Sequence, residues 1–176
     1  GDHFGYNSLA HDFPVFRVEK VFRRKDAIFP ATVVGRPRQE DYYIGDFLQD
    51  LLSPLFPLVM PAVREIWAFG ETGFHSLAAA RVRPERYARE ALGGALRILG
   101  EGQLSLTKCL VVVDDPDVSL RDARVLVPHL LARLDWRTDA LVLGQTAQDT
   151  LDYTGPALHR GSKLVLLATG PAKRSL

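Results

Sequence analysis

Apolar positions along this chain follow two rhythms, and they are densest at Thr107–Asp115, TKCLVVVDD. Cys109 to Val113 are apolar without a break, rich in Val and closed by two aspartates, the pattern of a strand buried on both faces. Helical patterns flank it at Pro84–Leu99 and Ser119–Leu134, and further apolar runs follow at Ala140–Leu143 and Lys163–Ala168. The pattern predicts an α/β fold, a largely parallel sheet with flanking helices and Thr107–Asp115 at its centre. From Glu40 a stripe of Tyr43, Ile44, Phe47, Leu48, Leu51 and Leu52 predicts a helix, which Pro54, Pro57 and Pro61 end and segment. Ala62–Phe69 and His75–Val82 read as strands joined by Gly70–Gly73. Pro84 is placed in the first turn of a crossover helix ending at Gly100. Ser119 is the expected N-cap of the helix that runs to about Leu134 and should kink at Pro128. Gln145–Gly161 is a long irregular loop, a kind usually functional or disordered.

The first 38 residues obey a different rule. Phe13–Phe22 alternates with period two, and Ala27–Gly35 is a second strand-like run interrupted by Pro30. No helix separates them, so two antiparallel strands are expected. The domain boundary falls near Pro37–Gln39, dividing the chain into residues 1–38 and an α/β domain over 39–176. The chain starts at Gly1 and runs straight into GDHFGY, which reads as a chain cut from something longer. With 47% apolar and 24% charged residues it is globular in composition, and a net charge of +1 argues against bulk attraction to nucleic acid or anionic lipid. No apolar run approaches the ~20 residues that span a bilayer. A single cysteine, Cys109, cannot form an intrachain disulfide, which fits a reducing cytoplasm.

Several residues invite chemistry. Asp114 and Asp115 after a buried strand suit Mg²⁺ binding in a nucleotide-binding domain, but no G-x-x-x-x-G-K-[ST] accompanies them and loop capping is the simpler use. His3, His11, His75, His129 and His159 have no metal-ligand spacing, and no G-x-G-x-x-G or G-x-S-x-G is present. Lys108, at the edge of an apolar strand, must snorkel or find an anion. Asp2 and His3 lie between Gly1 and Gly5, where the backbone can turn tightly; a carboxyl group there can donate a proton if a dry setting keeps it protonated.

The segments GDHFGYNSLAHDFPVFRV, FRRKDAIFPATVVGRPRQED, IGDFLQDLLSPLFPLVMP, EGQLSLTKCLVVVDD and DTLDYTGP…GSK, in that order, resemble the UbiD family of decarboxylases along essentially the whole chain. The resemblance implies a carboxy-lyase dependent on prenylated FMN, acting on aromatic or α,β-unsaturated acids such as a prenylated hydroxyaromatic acid of quinone biosynthesis. It implies that residues 1–38 are the last strands of a split-barrel flavin domain and that residues 39–176 mediate homo-oligomerisation. By motif, Asp2 matches the general acid, His3 lines the cofactor or substrate, and Lys108 meets the cofactor phosphate. Ile44, Asp149 and Leu151 match the substrate pocket. The family's arginine, its second glutamate, and the Asn, His and Glu that hold a divalent metal such as Mn²⁺ (with K⁺) would precede Gly1. The expected partners are a carboxylic acid and a flavin prenyltransferase that supplies the cofactor. The fragment alone is then inactive, an inert assembly module being the alternative reading and a nucleotide-binding domain the third.

Overall fold

In a computed structural model the described residues are 2–31, 38–83 and 90–175. A five-stranded sheet organises them, with strands β1 (Val63–Ala68), β2 (Leu77–Val82), β3 (Cys109–Val113), β4 (Ala140–Thr146) and β5 (Gly161–Ala168) in the order β1-β2-β3-β5-β4. The helices are α1 (Glu40–Leu52), a single turn α2 (Phe56–Val59), α3 (Ala91–Leu99) and α4 (Ala123–Arg133). β3 is central, as its unbroken apolar run requires. Its alternate side chains feed two cores: Leu110 and Val112 pack with Ala95 and Ile98 of α3, while Val111 and Val113 pack with Leu126 of α4. The result is a helix–sheet–helix sandwich. Ala78, Ala79 and Ala80 of β2 are fully buried, and the small side chains of Ala78 and Ala80 let α3 approach, with Gly94 against Val82.

The sheet is mixed, which corrects the expectation of a largely parallel one. β2, β3 and β5 run parallel, but β1 pairs antiparallel with β2 and β4 antiparallel with β5. Strand direction at an edge depends on the length of the connection, which an apolar pattern does not encode. Gly70–Gly73 is a tight turn and permits a hairpin, whereas β2 to β3 needs the α3 crossover. The outer edge of β1 is covered by Gln49 of α1, whose side-chain amide donates to the Ala68 carbonyl and accepts from its N–H.

Of the two strands expected in the opening segment, the first does not form, and the described start of the second carries no strand. Residues 13–22 and 27–31 carry no strand and are exposed throughout. A period-two pattern becomes a strand only when it pairs with an edge, and residues 13–22 and 27–31 pair with none of the described strands. The rest of that second run, 32–35, and the Pro84 start of the crossover helix lie outside the described residues. The helix expected from Ser119 starts later: Ser119 Oγ accepts from Arg121 N in a preceding turn, and Asp122 is the N-cap, accepting from Arg124 N.

Candidate active site

The parallel strands β2, β3 and β5 begin on one edge of the sheet. Their register sets Leu77 beside Cys109 and Cys109 beside Leu164, so the residues just ahead of them gather there. Lys108 N donates to the His75 carbonyl, and Leu164 N donates to the Lys108 carbonyl. Ligands in open α/β sheets favour the opposite, carboxyl edge. At that carboxyl edge Asp114 accepts from Gly170 N, while Asp115 accepts from Asp117 N and lies 3.6 Å from Arg133 and 3.8 Å from His129. Both carboxylates are thus taken up by loop capping and ion pairing, and the nucleotide-binding reading gains no support.

Two loops close over the amino edge. In the first, Asp2 is only 4% exposed. Its Oδ1 accepts from Phe4 N (3.0 Å) and Tyr6 N (2.9 Å), while Oδ2 is sealed from solvent with no hydrogen-bond partner. Gly5, at φ 90°, makes that turn possible. The loop rests on the β1–β2 turn at Gly73, where φ is 74° and an added Cβ would sit 2.6 Å from the Phe4 ring. Glycine is needed there both for the backbone and for the close approach.

The second loop follows β4. Gln148, buried, donates to the Asp152 carbonyl and holds the loop closed. Lys163 fastens it to the sheet, its Nζ donating at 3.0 Å to the carbonyls of both Thr107 and Ala147. Burial lowers the pKa of Lys163, and burial likewise lowers that of His75 despite the opposing Asp149 carboxylate. Asp149 Oδ2 faces His3 Nε2 at 3.3 Å and His75 Nε2 at 3.7 Å, and its Oδ1 accepts from Leu151 N. Lys108 Nζ bonds Asp152 Oδ2 at 2.7 Å and Thr154 Oγ1 at 2.6 Å.

Burial pushes the Asp152 carboxyl up, but the bonds from Lys108 and Thr154 outweigh it and hold the pKa below the ordinary 3.8. A depressed carboxyl contributes stability that is fully present above the ordinary value and is lost as pH falls through the folded one. Asp152→Asn is therefore expected to be less stable than the parent at pH 7, with the gap closing as the pH falls below 3.8. Urea denaturation at both ends of that window checks it; a gap that stays constant with pH would count against the ion pair.

His3, Ile44, Leu48, Phe74 and His75 line a cavity of about 470 Å³ between α1 and the amino edge. Lys108, Tyr6, Ser76 and Asp152 line a neighbouring hollow of about 220 Å³. A third hollow, of about 510 Å³, lies by Gln145 and Arg160 and holds none of the sequence-predicted residues. Of those residues, His3 and Ile44 thus share the first cavity and Lys108 lies at the second. Asp149 meets His3 from the side, while Asp2 and Leu151 line neither of the two. His75 and Lys163 were not singled out from the sequence. His75 lacked any spacing to another ligand, and Lys163 looked like the polar start of a strand.

The family model described as 3-octaprenyl-4-hydroxybenzoate carboxy-lyase C-terminal domain matches residues 42–168. The chain belongs to the UbiD family. The same family's Rift-related domain matches residues 1–37. A Chlamydia pneumoniae relative, named as a subunit of 4-hydroxybenzoate decarboxylase, is 58% identical over all of this chain and 30% of its own length. An uncharacterised Chlamydia trachomatis protein is 56% identical over the same shares. The UbiD-family chain thus spans about 30% of the length of these relatives. Among solved structures, the open form of Sedimentibacter hydroxybenzoicus vanillic acid decarboxylase has a TM-score of 0.67 at 22% identity, covering 87% of this chain and 32% of that one. The UbiD-class enzyme HmfF from Pelotomaculum thermopropionicum, in complex with FMN, has a TM-score of 0.63 at 16% identity, covering 76% and 29%. At these identities the likeness is one of fold. No helix among the described residues is long and apolar enough to cross a membrane.

Proposed function

We propose that this chain is the C-terminal part of a UbiD-type carboxy-lyase that removes CO₂, reversibly, from an aromatic or α,β-unsaturated acid with prenylated FMN as cofactor. Residues 1–38 would complete the flavin domain and residues 39–176 would form the assembly domain. Asp2 carries the reading: a buried carboxyl group with one oxygen uncommitted, next to His3 on the cavity wall and on the same edge as Lys108. A relative named as a subunit of 4-hydroxybenzoate decarboxylase supports the substrate class.

The residues fit one end of the cofactor. A lysine ammonium has three donors, and Lys108 spends two on Asp152 and Thr154, leaving one for a phosphate oxygen. The hollow beside it, about 220 Å³, is smaller than the ~300–1,000 Å³ of a site that takes a whole ligand of that size. This chain therefore contributes the phosphate end and one wall, and the sheet serves as scaffold to a cleft.

When bound, a flavin of this type supplies the electron sink that loss of CO₂ from an sp² carbon demands. Asp2 then delivers a proton from Oδ2 to that carbon, from a distance of about 3 Å. Ile44, Leu48 and Phe74 form an apolar wall that excludes competing water. The sum is a carboxylate and a proton giving CO₂ and the protonated product.

A second role rests on a separate observation. Tyr43, Phe47, Leu51, Leu55 and Leu58 present an exposed apolar face on α1 and the turns after it, which suits self-association into a homo-oligomer. Without the segments that would hold the rest of the flavin, the isolated chain would act only as this assembly module. The function is tested by loading the whole protein with prenylated FMN and measuring CO₂ release from hydroxylated benzoic acids. Flavin-dependent release is expected; a loaded protein that releases CO₂ from no aromatic or unsaturated acid would overturn the reading.

A further inference from the structure

We propose that His3, His75 and Asp149 bind one divalent transition-metal ion, with Zn²⁺ the best match to the donors. The three residues are far apart in sequence and come from the opening loop, the lead into β2 and the loop after β4. One ligand atom from each lies within 4.8 Å of the others. Two imidazoles and a carboxylate are a donor set that zinc and its neighbours favour.

The spacing discriminates between a metal and a plain hydrogen-bond network. Imidazoles bonded to a carboxylate would be drawn to about 2.7–3.2 Å. Here both Nε2 atoms stand off the same oxygen, at 3.3 and 3.7 Å. Zinc bonds of about 2.0–2.1 Å in a tetrahedron hold neighbouring donors about 3.3–3.4 Å apart. His3 Nε2 is moreover sealed from solvent without a hydrogen-bond partner, a costly arrangement for a ring nitrogen unless something else occupies the space before it.

The surroundings orient the set. Leu151 N bonds Asp149 Oδ1, which turns Oδ2 toward the histidines. The His3 and His75 rings stand nearly edge to face, at 75° with centroids 6.1 Å apart, so their nitrogens converge without the rings stacking. The nearby cation, Lys163, directs its Nζ at the carbonyls of Thr107 and Ala147. Since His3 and His75 both line the 470 Å³ cavity, the fourth position opens on it. Water, or an oxygen of an acid held in the cavity, would complete the tetrahedron.

This inference rests on the local geometry and stands apart from the decarboxylase reading. Protein stripped with a chelator should bind one Zn²⁺ per chain at this site by calorimetry. Co²⁺ in its place should give the strong visible bands of four-coordinate cobalt. Loss of a group that merely orients a ligand costs about 10–100-fold in metal affinity, so His75→Ala and Asp149→Asn should each lose more than about 100-fold at this site. Circular dichroism on each variant separates loss of ligation from loss of folding. Should either variant fail to fold, the parent's stoichiometry and cobalt spectrum decide. A parent that takes up no stoichiometric Zn²⁺, or folded variants that bind it as tightly as the parent, would overturn the proposal.

Discussion

Phe47→Asp combined with Leu51→Asp is expected to break the protein's assembly into smaller units while leaving each unit folded. Helix α1 has the stripe of a helix that should face a core, yet none of its residues is fully buried. Ile44 and Leu48 roof the cavity, but Phe47 is 63% exposed, Leu51 58% and Leu58, beyond the proline break, 78%. Their exposure means that a charge there costs the folded chain little. In an interface the same positions would be the desolvated centre, where one truncated anchor costs about 2 kcal/mol or more. Two such losses raise a dissociation constant about 1,000-fold. Sedimentation velocity on parent and variant reads the change directly. A parent that is already a monomer at about 50 μM would refute self-association through this face.

Asp2→Asn is expected to lower turnover by about 10²–10⁴-fold, the usual worth of a positioned proton donor. Asn keeps the oxygen that accepts from Phe4 N and Tyr6 N, so the loop should hold its shape. What changes is Oδ2, the sealed and unpartnered atom, which becomes an amide that cannot deliver the proton. Because Asn has the size of Asp and keeps both loop hydrogen bonds, flavin content should be preserved and KM should change little beside kcat. Steady-state kinetics with a visible spectrum of each preparation checks both halves.

Much of the layer structure was legible because burial on both faces leaves an unbroken apolar run, as in Cys109–Val113, and a half-buried helix leaves a stripe, as in α3. The first two strands and the turn between them were legible through the glycines of Gly70–Gly73, though their antiparallel sense was not. Strand direction at the sheet's edges was not, because β4 would show the same alternation in either sense. The strand expected at Phe13–Phe22 shows the converse limit: its pattern is real, but a ladder partner is not a property of the segment itself. At the site, Asp2, His3 and Lys108 stood out because local motifs surround them. His75 and Lys163 did not, since what makes them notable is a neighbour brought by the fold, Asp149 for one and the Thr107 and Ala147 carbonyls for the other. Asp152 as the anion for Lys108 is of the same kind.

The central claim, that Asp2 acts only after CO₂ has left, is tested most directly by following two rates in the loaded Asp2→Asn protein. One is net product formation; the other is exchange of isotopically labelled CO₂ into the starting acid. A donor that works after the carbon–carbon bond has broken predicts exchange that continues while product formation collapses. Product formed at the parent's rate, or exchange lost in step with it, would contradict that claim.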